Sequence, residues 1–310
     1  GSVVHILSRI MSQQGHRGPD GSGVWSREIN SGFTLALGHR RLSILDLSEA
    51  GHQPMVDSSS NFVLTFNGEL YNYIEVRAEL IALGVNFRSH TDSEVLLEAY
   101  KKWGAECLQR FNGMFAFALY DQVRGVLFCA RDRYGEKPFL FGAGQGFFAF
   151  ASEYKALLQH PGLSLEIDEW RLIRAAHNAS TGLDADRQTV FNDVQQLLPG
   201  EAMVVDVRSL KRRIWRYWQV EPGEMRNVPN EQVVFDEFRE LLIDSVRLRM
   251  RSDVPVGSCL SGGLDSSAIV CIARQLLGQD AEYHTFTGRF PGTAADEWSY
   301  ASQVVEATGV

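Results

Sequence analysis

Short apolar runs separated by turns dominate the chain from Gly32 to about Trp218. Runs of this length that are rich in β-branched and aromatic residues predict β-strands. The turns at Arg124-Gly125 and at 142–146 separate neighbouring runs at hairpin spacing, so we expect antiparallel pairs. The predicted strands are Phe62–Phe66, Met114–Tyr120, Val126–Ala130, Phe139–Phe141, Phe147–Ala151, Met203–Val207 and Ile214–Trp218.

Three segments with helical spacing of apolar residues interrupt these strands. They predict helices at Tyr73–Leu83, Asp92–Phe111 and Asp168–His177. The second helix begins with a capping box from Thr91 to Glu94. Because strands and helices occur in separate blocks, we expect an α+β fold of two stacked antiparallel sheets covered by helices, an αββα sandwich.

The pattern changes after Trp218. Residues 219–230 are polar and contain two prolines, which is typical of a linker between domains 3–218 and 231–310. An amphipathic helix around Val234–Val246 follows, and then strands and helices alternate as in a parallel α/β sheet. Because two strands cannot build such a sheet with both faces buried, we expect 231–310 to be part of a larger domain. The alternating elements are predicted at Val254–Leu260, Ser266–Leu277, His284–Phe290 and Asp296–Ala307.

Composition and charge exclude several classes of protein. The 310 residues are 45% apolar and 22% charged, which argues against disorder. A net charge of −8 gives no electrostatic footprint for nucleic acid or anionic lipid. No apolar run approaches the ~18 residues of a membrane span. The four cysteines show no metal-binding spacing and no secretory signal is visible, so we expect reduced thiols in a cytoplasmic protein.

The most specific motif is the loop from Ser261 to Ser267, which lies between a predicted strand and a predicted helix. Its two glycines let the backbone approach an anion, and the orphan N–H groups of the helix then point at phosphate oxygens. No Gly-Lys-Ser/Thr follows, so it is not a Walker A loop. A carboxylate in mid-loop suits a ligand of phosphate-bound Mg²⁺, which assigns Asp265 to the metal. The alternative is a Ser/Gly-rich turn in which Asp265 is a local cap.

This loop resembles that of the PP-loop ATP pyrophosphatases, which cleave ATP between its α and β phosphates. The resemblance implies that a substrate carboxylate is adenylated and then attacked by ammonia. It also implies a set of ATP-binding residues: Leu260, Ser261, Gly262, Gly263, Asp265, Ser266, Ser267 and Gly288.

Five short upstream motifs, each weak alone, resemble together the glutaminase half of glutamine-hydrolysing asparagine synthetases. These enzymes are class II amidotransferases of the N-terminal-nucleophile (Ntn) hydrolase type, and the resemblance runs from about His16 to Val310. The motifs are His16–Asp20, Arg41–Asp46, Asn67-Gly68-Glu69, Thr91-Asp92 and Arg131–Gly135.

A pocket that removes an amino acid from water must pair both its carboxylate and its ammonium group. Arg41 offers a fork for the carboxylate, and Glu69 and Asp92 can share the ammonium. The Asn67 side chain and the Gly68 N–H suit a two-donor oxyanion hole. Taken singly, Asn67-Gly68 could be a hairpin turn, Asp92 a helix cap and Arg41 a surface arginine. The glutamine-binding residues implied by the resemblance are Arg41, Leu42, Ser43, Ile44, Leu45, Asn67, Gly68, Glu69 and Asp92.

The nucleophile expected from the resemblance, a cysteine made N-terminal by processing, has no counterpart before Cys107. None of the four cysteines can take its place, and the strand that carries it in the family is also missing. Two explanations stay open. Either the beginning was removed, or the protein has lost glutaminase activity as β-lactam synthetases have. The retained pocket favours the first explanation, and we expect the chain as given to be inactive.

The resemblance implies an ATP- and Mg²⁺-dependent enzyme that hydrolyses glutamine and transfers ammonia to an adenylated carboxylate, with aspartate as acceptor. Its products are AMP and pyrophosphate, and a homodimer is compatible with this assignment. Three alternatives stay open from sequence. They are the same chemistry on a sugar or peptide carboxylate, a β-lactam-synthetase-like cyclase, and a non-catalytic glutamine-binding module.

Overall fold

The computed structural model describes residues 2–30, 32–177, 186–223 and 230–310. The chain divides into two compact units, 1–221 and 222–310. Part of the predicted linker, residues 224–229, lies outside the described residues. In the described ranges, no helix combines the length and the apolar character that crossing a membrane requires.

The first unit contains five helices among its described residues. Thr91 caps the third helix as predicted, because its hydroxyl accepts a hydrogen bond from the Glu94 N–H at 3.1 Å. This helix was predicted to reach Phe111. It ends at Trp103, because Gly104 adopts a positive φ of 59° and a 3₁₀ turn follows. The five helices are α1 (Val3–Ser12), α2 (Tyr73–Ala82), α3 (Asp92–Trp103), α4 (Tyr154–Leu157) and α5 (Glu169–His177).

The described strands of the first unit form antiparallel ladders only. They are β1 (Gly21–Asn30), β2 (Phe33–Arg41), β3 (Met55–Val56), β4 (Phe62–Leu70), β5 (Gly113–Asp121), β6 (Val126–Arg131), β7 (Leu140–Gly144), β8 (Phe147–Ala151), β9 (Val194–Gln196), β10 (Glu201–Asp206) and β11 (Arg212–Arg216). A six-stranded sheet has the order β11-β10-β6-β5-β4-β3. The β1–β2 hairpin and a three-stranded sheet, β8-β7-β9, are separate ladders.

Both faces of the six-stranded sheet are buried. Phe117 and Leu119 of β5 pack with α2 and α3 in one apolar cluster, whereas Ala118 and Tyr120 pack with β2 and β7 in another. This alternation is the period of two that a strand imposes on its side chains. A third cluster joins α1 and α4 to β7, β8 and β9. The β1–β2 hairpin and the β8-β7-β9 sheet together form a second strand layer. The order of layers is therefore helices, six-stranded sheet, second strand layer and helices, which confirms the predicted αββα arrangement.

The second unit contains α6 (Glu231–Arg249), β12 (Gly257–Cys259), α7 (Leu264–Leu277), β13 (His284–Phe286) and α8 (Trp298–Thr308). β12 and β13 pair in parallel, which confirms the predicted change from antiparallel to parallel structure. Each strand is only three residues long, shorter than predicted. In a two-strand ladder, pairing is limited to the stretch where both strands face each other. The core of this unit includes Leu260 and Val270.

Candidate functional site

A cavity of about 670 Å³ lies inside the first unit, between the six-stranded sheet and the second strand layer. It brings together most of the residues that the sequence analysis assigned to glutamine binding. Ser43 is not among the lining residues, and its N–H donates to Asp20 Oδ2 at 2.8 Å. The predicted residues that line the cavity are Arg41, Leu42, Ile44, Leu45, Asn67, Gly68, Glu69 and Asp92.

Arg41, the last residue of β2, is held by the loop that follows it. Its Nη1 donates to the Ser48 carbonyl at 2.7 Å and its Nη2 donates to the Asp46 carbonyl. A Cβ atom at Gly51 would lie 2.0 Å from Arg41 Nη2, so a larger residue at 51 would displace the guanidinium from this position. Two of the five guanidinium donors are thus used for positioning, and the fork stays planar and charged.

The backbone of β4 explains why Gly68 can act as a donor. Phe115 lies opposite Gly68 in β5. Its N–H donates to the side-chain Oδ2 of Asp132 at 3.1 Å, and its carbonyl accepts the Asp132 backbone N–H at 2.7 Å, so both of its backbone groups point away from β4. In an antiparallel ladder both amide groups of a residue point to the same neighbour, so Gly68 and Phe115 form a non-hydrogen-bonded pair. The Gly68 N–H therefore points away from β5. Because Gly68 lines the cavity, its N–H lies at the cavity edge of β4.

The side chains of Asn67 and Glu69 share one face of β4, because residues two apart point in the same direction. This face looks toward the second strand layer, where Val63 of the same strand is buried. Asn67 Nδ2 lies 3.5 Å from Ser152 Oγ, at the end of β8. Strand alternation thus places an amide donor and a carboxylate side by side in the cavity.

Glu69 and Asp92 form an electrostatically costly pair. Burial raises the pKa of Asp92 to about 7, although the Leu70 N–H, which donates to its Oδ2 at 2.9 Å, opposes this, and the charge of Glu69 raises it further. Burial also raises the pKa of Glu69, while the Lys137 charge opposes that shift. Two poorly hydrated carboxylates in one cavity favour a bound cation. An ammonium group between them would relieve both shifts.

Several residues of the cavity were not assigned from sequence. Burial lowers the pKa of His39 to about 4, with further lowering by the charges of Arg41 and His52, so His39 is neutral at pH 7. His16 lies against Glu153 in the cavity wall, with Nε2 and Oε1 3.0 Å apart. The alternation of β2 was the only signal for His39 in the sequence, and it was overlooked because the strand itself was not predicted.

The cysteines lie away from this cavity. Cys107 and Cys129 are buried in the two apolar clusters of the six-stranded sheet, and burial raises the pKa of both thiols. Cys259 and Cys271 are exposed and belong to the second unit. None of the residues described as lining the cavity is a cysteine.

The predicted phosphate loop leads from β12 directly into α7. Gly262 has a φ of +82°, and a Cβ atom there would lie 2.5 Å from the Ala301 N atom. The N-cap residue, Gly263, provides no side-chain cap for the first turn of α7. Uncapped N–H groups at the start of a fourteen-residue helix fit an anion such as a phosphate.

Hydroxyl groups brace this loop from within. Ser261 Oγ and Ser266 Oγ lie 2.9 Å apart, and the Gly263 N–H donates to Ser261 Oγ at 3.2 Å. Asp265 is exposed in the first turn of α7, where its carboxylate can approach a metal ion from solvent. Three predicted ATP residues remain. Leu260 is buried beside the loop, the Ser267 N–H donates to the Gly263 carbonyl at 3.0 Å, and Gly288 is exposed beyond β13.

Comparison with known proteins gives the same division of the chain. The glutamine amidotransferase domain family matches residues 2–218, and the asparagine synthase family matches residues 237–310. Asparagine synthetase 3 (glutamine-hydrolyzing) of Bacillus subtilis is 37% identical over 288 residues, 91% of this chain and 44% of that protein. Amidase chry2 of Gibberella zeae is 32% identical over 322 residues, 99% of this chain and 46% of that protein. The chain thus spans about half the length of the curated relatives it matches.

Among solved structures, the glutamine phosphoribosylpyrophosphate amidotransferase of Bacillus subtilis, complexed with ADP and GMP, is similar with a TM-score of 0.51. It is 16% identical, and the likeness covers 91% of this chain and 62% of that one. At this identity the likeness concerns the fold, and it confirms the Ntn-hydrolase type of sandwich. The chain belongs to the glutamine amidotransferase domain family, which its residues 2–218 match, and its residues 237–310 match the asparagine synthase family.

Proposed function

We propose that the first unit binds glutamine in the cavity beneath β4, as the amide donor for an ATP-dependent synthesis. Arg41 holds the α-carboxylate, Glu69 and Asp92 share the α-ammonium, and Asn67 with the Gly68 N–H receives the side-chain carbonyl oxygen. One observation carries the proposal. A fixed arginine, two carboxylates with raised pKa values and the edge of β4 at Gly68 meet in a single cavity.

The second unit takes the ATP. The loop 261–267 cradles phosphates through the uncapped N–H groups of α7, and Asp265 holds Mg²⁺, which neutralises phosphate charge when it is bound. Leu260 and Gly288 border the nucleotide. A carboxylate becomes adenylated and accepts ammonia, leaving AMP and pyrophosphate. The names of the relatives support aspartate as the acceptor.

The acceptor is tested by measuring pyrophosphate release with glutamine, ATP and a series of carboxylates, using the protein in its longest natural form. Preference for aspartate supports an asparagine synthetase. Preference for a sugar or peptide carboxylate would keep the amidotransferase chemistry and refute the proposed product. The name of the Gibberella zeae relative, an amidase, makes this comparison necessary.

The 310-residue chain is expected to bind L-glutamine without converting it to glutamate, because no cysteine lines the cavity among the described residues. Calorimetric titration with L-glutamine should give a saturable signal that D-glutamine does not give, and an assay for glutamate should stay at background. Production of glutamate by this chain would contradict the proposal. Absence of any glutamine binding would refute the assignment of the cavity.

The Asp265→Asn variant is expected to weaken ATP binding about tenfold when Mg²⁺ is present, and to leave ATP binding in EDTA unchanged. Calorimetry under the two conditions measures both affinities. Asp280→Asn, a change of another exposed aspartate in the same unit, is the matched control and should bind as the wild type does. Equal losses with and without Mg²⁺ would argue against a metal-binding role for Asp265.

A further inference from the structure

The edge of β4 that faces away from β5 is completed by side chains. In the part of the chain that the structure describes, β3 pairs with β4 at Val63 and Leu64 and no further along this edge. By the alternation that sets the direction of Gly68, the amide groups of Phe66 and Leu70 point the same way. The Leu70 N–H donates to Asp92 Oδ2, as described above.

Gln53 holds Phe66 as a neighbouring strand would. Its Oε1 accepts the Phe66 N–H at 2.7 Å, and its Nε2 donates to the Phe66 carbonyl at 3.3 Å. A side-chain carboxamide has the same donor and acceptor as a peptide group, so it can replace one rung of a ladder. Gln53 is 6% exposed, so these bonds form away from bulk water.

The same carboxamide also reaches α3. Gln53 Nε2 donates to Ser93 Oγ at 3.2 Å, and Ser93 directly follows Asp92. Gln53 thereby links the strand that carries Asn67 and Gly68 to the helix end that carries Asp92. These are the two parts of the cavity that must keep a fixed separation if one ligand is to touch both.

Gly68 needs this support because its own backbone is permissive. Its φ of +150° is reached freely only by glycine, and it has no side chain to anchor it. Its N–H direction is therefore set by the residues on either side along the edge, Phe66 and Leu70. Asp92 fixes the second of these, and Gln53 fixes the first.

We propose that Gln53 is a positioning residue that aims the Gly68 N–H at the side-chain carbonyl of the bound amino acid, and so sets the preference for a carboxamide side chain. This inference rests on the proposed function, because it assumes that glutamine occupies the cavity. Gln53 lines the cavity, and its carboxamide is already bonded to Phe66 and Ser93. Its effect passes through Phe66 to the backbone of Gly68.

The test compares two ligands that differ only at the end of the side chain. L-Glutamine and L-norvaline share the α-carboxylate and the α-ammonium, but L-norvaline lacks the carboxamide. Calorimetric titration of the wild-type chain should show L-glutamine binding at least about tenfold more tightly, the value of one well-placed hydrogen bond. In Gln53→Met, which keeps an unbranched side chain of similar length, the preference should fall to about threefold or less, with the Kd of L-norvaline nearly unchanged.

Gln196→Met is the matched control. Gln196 is also buried, and its Nε2 donates to the Asp186 carbonyl at 2.7 Å, on β9 rather than on β4. It should lose stability and keep the wild-type preference. A merely structural role for Gln53 would weaken both ligands equally or leave the preference intact, and either result would overturn the inference.

A milder variant covers the case in which Gln53→Met does not fold. Ser93→Ala removes one acceptor of the Gln53 amide and should reduce the preference about threefold. An unchanged preference in Ser93→Ala would then overturn the inference. If the wild-type chain binds neither ligand, the proposed function is refuted. If the wild-type chain prefers L-glutamine and both variants keep that preference, only the role of Gln53 is refuted.

Discussion

Replacing Asp92 by asparagine is expected to raise the melting temperature of the ligand-free first unit by about 10 °C at pH 8, and to abolish its stabilisation by glutamine. The two effects have one cause. Asp92 is ionised at pH 8 in a buried site that disfavours its charge, the Leu70 N–H offsets only part of that cost, and a bound ammonium would offset more of it. Asparagine removes the charge and still offers an oxygen to the Leu70 N–H.

The direction of the pH dependence follows from the raised pKa. A carboxyl group with an ordinary pKa of 3.8 in the unfolded chain and about 7 in the folded chain binds more protons when folded. Its effect on stability is therefore absent below the unfolded pKa and becomes a loss as the pH rises toward 7. Each pKa unit corresponds to about 1.4 kcal/mol, so the full loss is on the order of 4 kcal/mol. The advantage of Asp92→Asn should accordingly shrink between pH 8 and pH 5.

Glutamine binding should show the opposite dependence on pH. An ammonium group binds the ionised form of Asp92, so the Kd of the wild-type chain should rise about tenfold from pH 8 to pH 6. Thermal melts with and without L-glutamine across this range measure both effects. An Asp92→Asn variant that still responds to glutamine would show that Asp92 does not bind the ammonium.

Asp57→Asn is a control in which the melting temperature at pH 8 should change in the opposite direction. Burial by itself would raise the pKa of Asp57, but hydrogen bonds from Ser59 and from the Phe62 N–H, together with Lys101, hold it below its usual range. Its folded-state pKa is depressed, so it stabilises the protein above the unfolded pKa. Neutralising it should lower the melting temperature at pH 8, whereas neutralising Asp92 should raise it.

Replacing Gly68 by alanine is expected to lower the free energy of unfolding by about 3 kcal/mol and to abolish glutamine binding. A Cβ atom at Gly68 would lie 2.0 Å from the Met114 carbonyl oxygen and 2.7 Å from the Phe115 Cα atom. Both are backbone atoms of β5, so the clash cannot be relieved by rotating a side chain. Relief requires β4 and β5 to separate, which displaces the Gly68 N–H from the cavity.

Gly84→Ala is the control that separates the steric clash with β5 from the cost of a positive φ alone. Gly84 also has a positive φ, +87°, but a Cβ atom there would have no heavy atom within 4 Å. We expect it to cost about 1 kcal/mol. Urea denaturation of both variants measures the difference. Equal losses would mean that close approach of β5 contributes nothing at Gly68.

How far the sequence predicts the fold depends on the kind of strand. β4, β5 and β6 were predicted because buried central strands read as nearly continuous apolar runs. β1 and β2 were not predicted, because their residues mix glycine, arginine and serine with apolar positions. The helical spacing of Val3, Leu7 and Ile10 was present in the sequence for α1, but it was not interpreted. The contacts that pack these elements join distant parts of the chain and leave no local signal.

The candidate site shows a similar limit. The motifs supplied Arg41, Glu69 and Asp92, because charged residues at fixed spacing are visible in a sequence. The role of Gln53 depends on which edge of β4 faces the cavity and on where β3 stops pairing, which only the folded chain reveals. The capping box is a further case. Thr91 caps the helix, but the Glu94 carboxylate turns back to accept the N–H groups of Arg88 and Ser89.

The second strand layer is divided into the β1–β2 hairpin and the β8-β7-β9 sheet, and this division affects which part of the first unit unfolds locally. Among the described residues, β1 and β2 pair only with each other, and a two-stranded hairpin is marginal alone. Side-chain packing holds the hairpin in place. Leu37 is buried in the apolar cluster between the six-stranded sheet and the second strand layer, and the Trp25 ring centroid lies 5.7 Å from that of Tyr120. The amides of β1 should therefore exchange hydrogen through local opening, whereas those of the central strand β5 exchange only when the whole unit unfolds. Arg41 ends β2, so the residue proposed to hold the ligand carboxylate belongs to the part of the unit that is expected to open first, and a bound ligand would slow that opening.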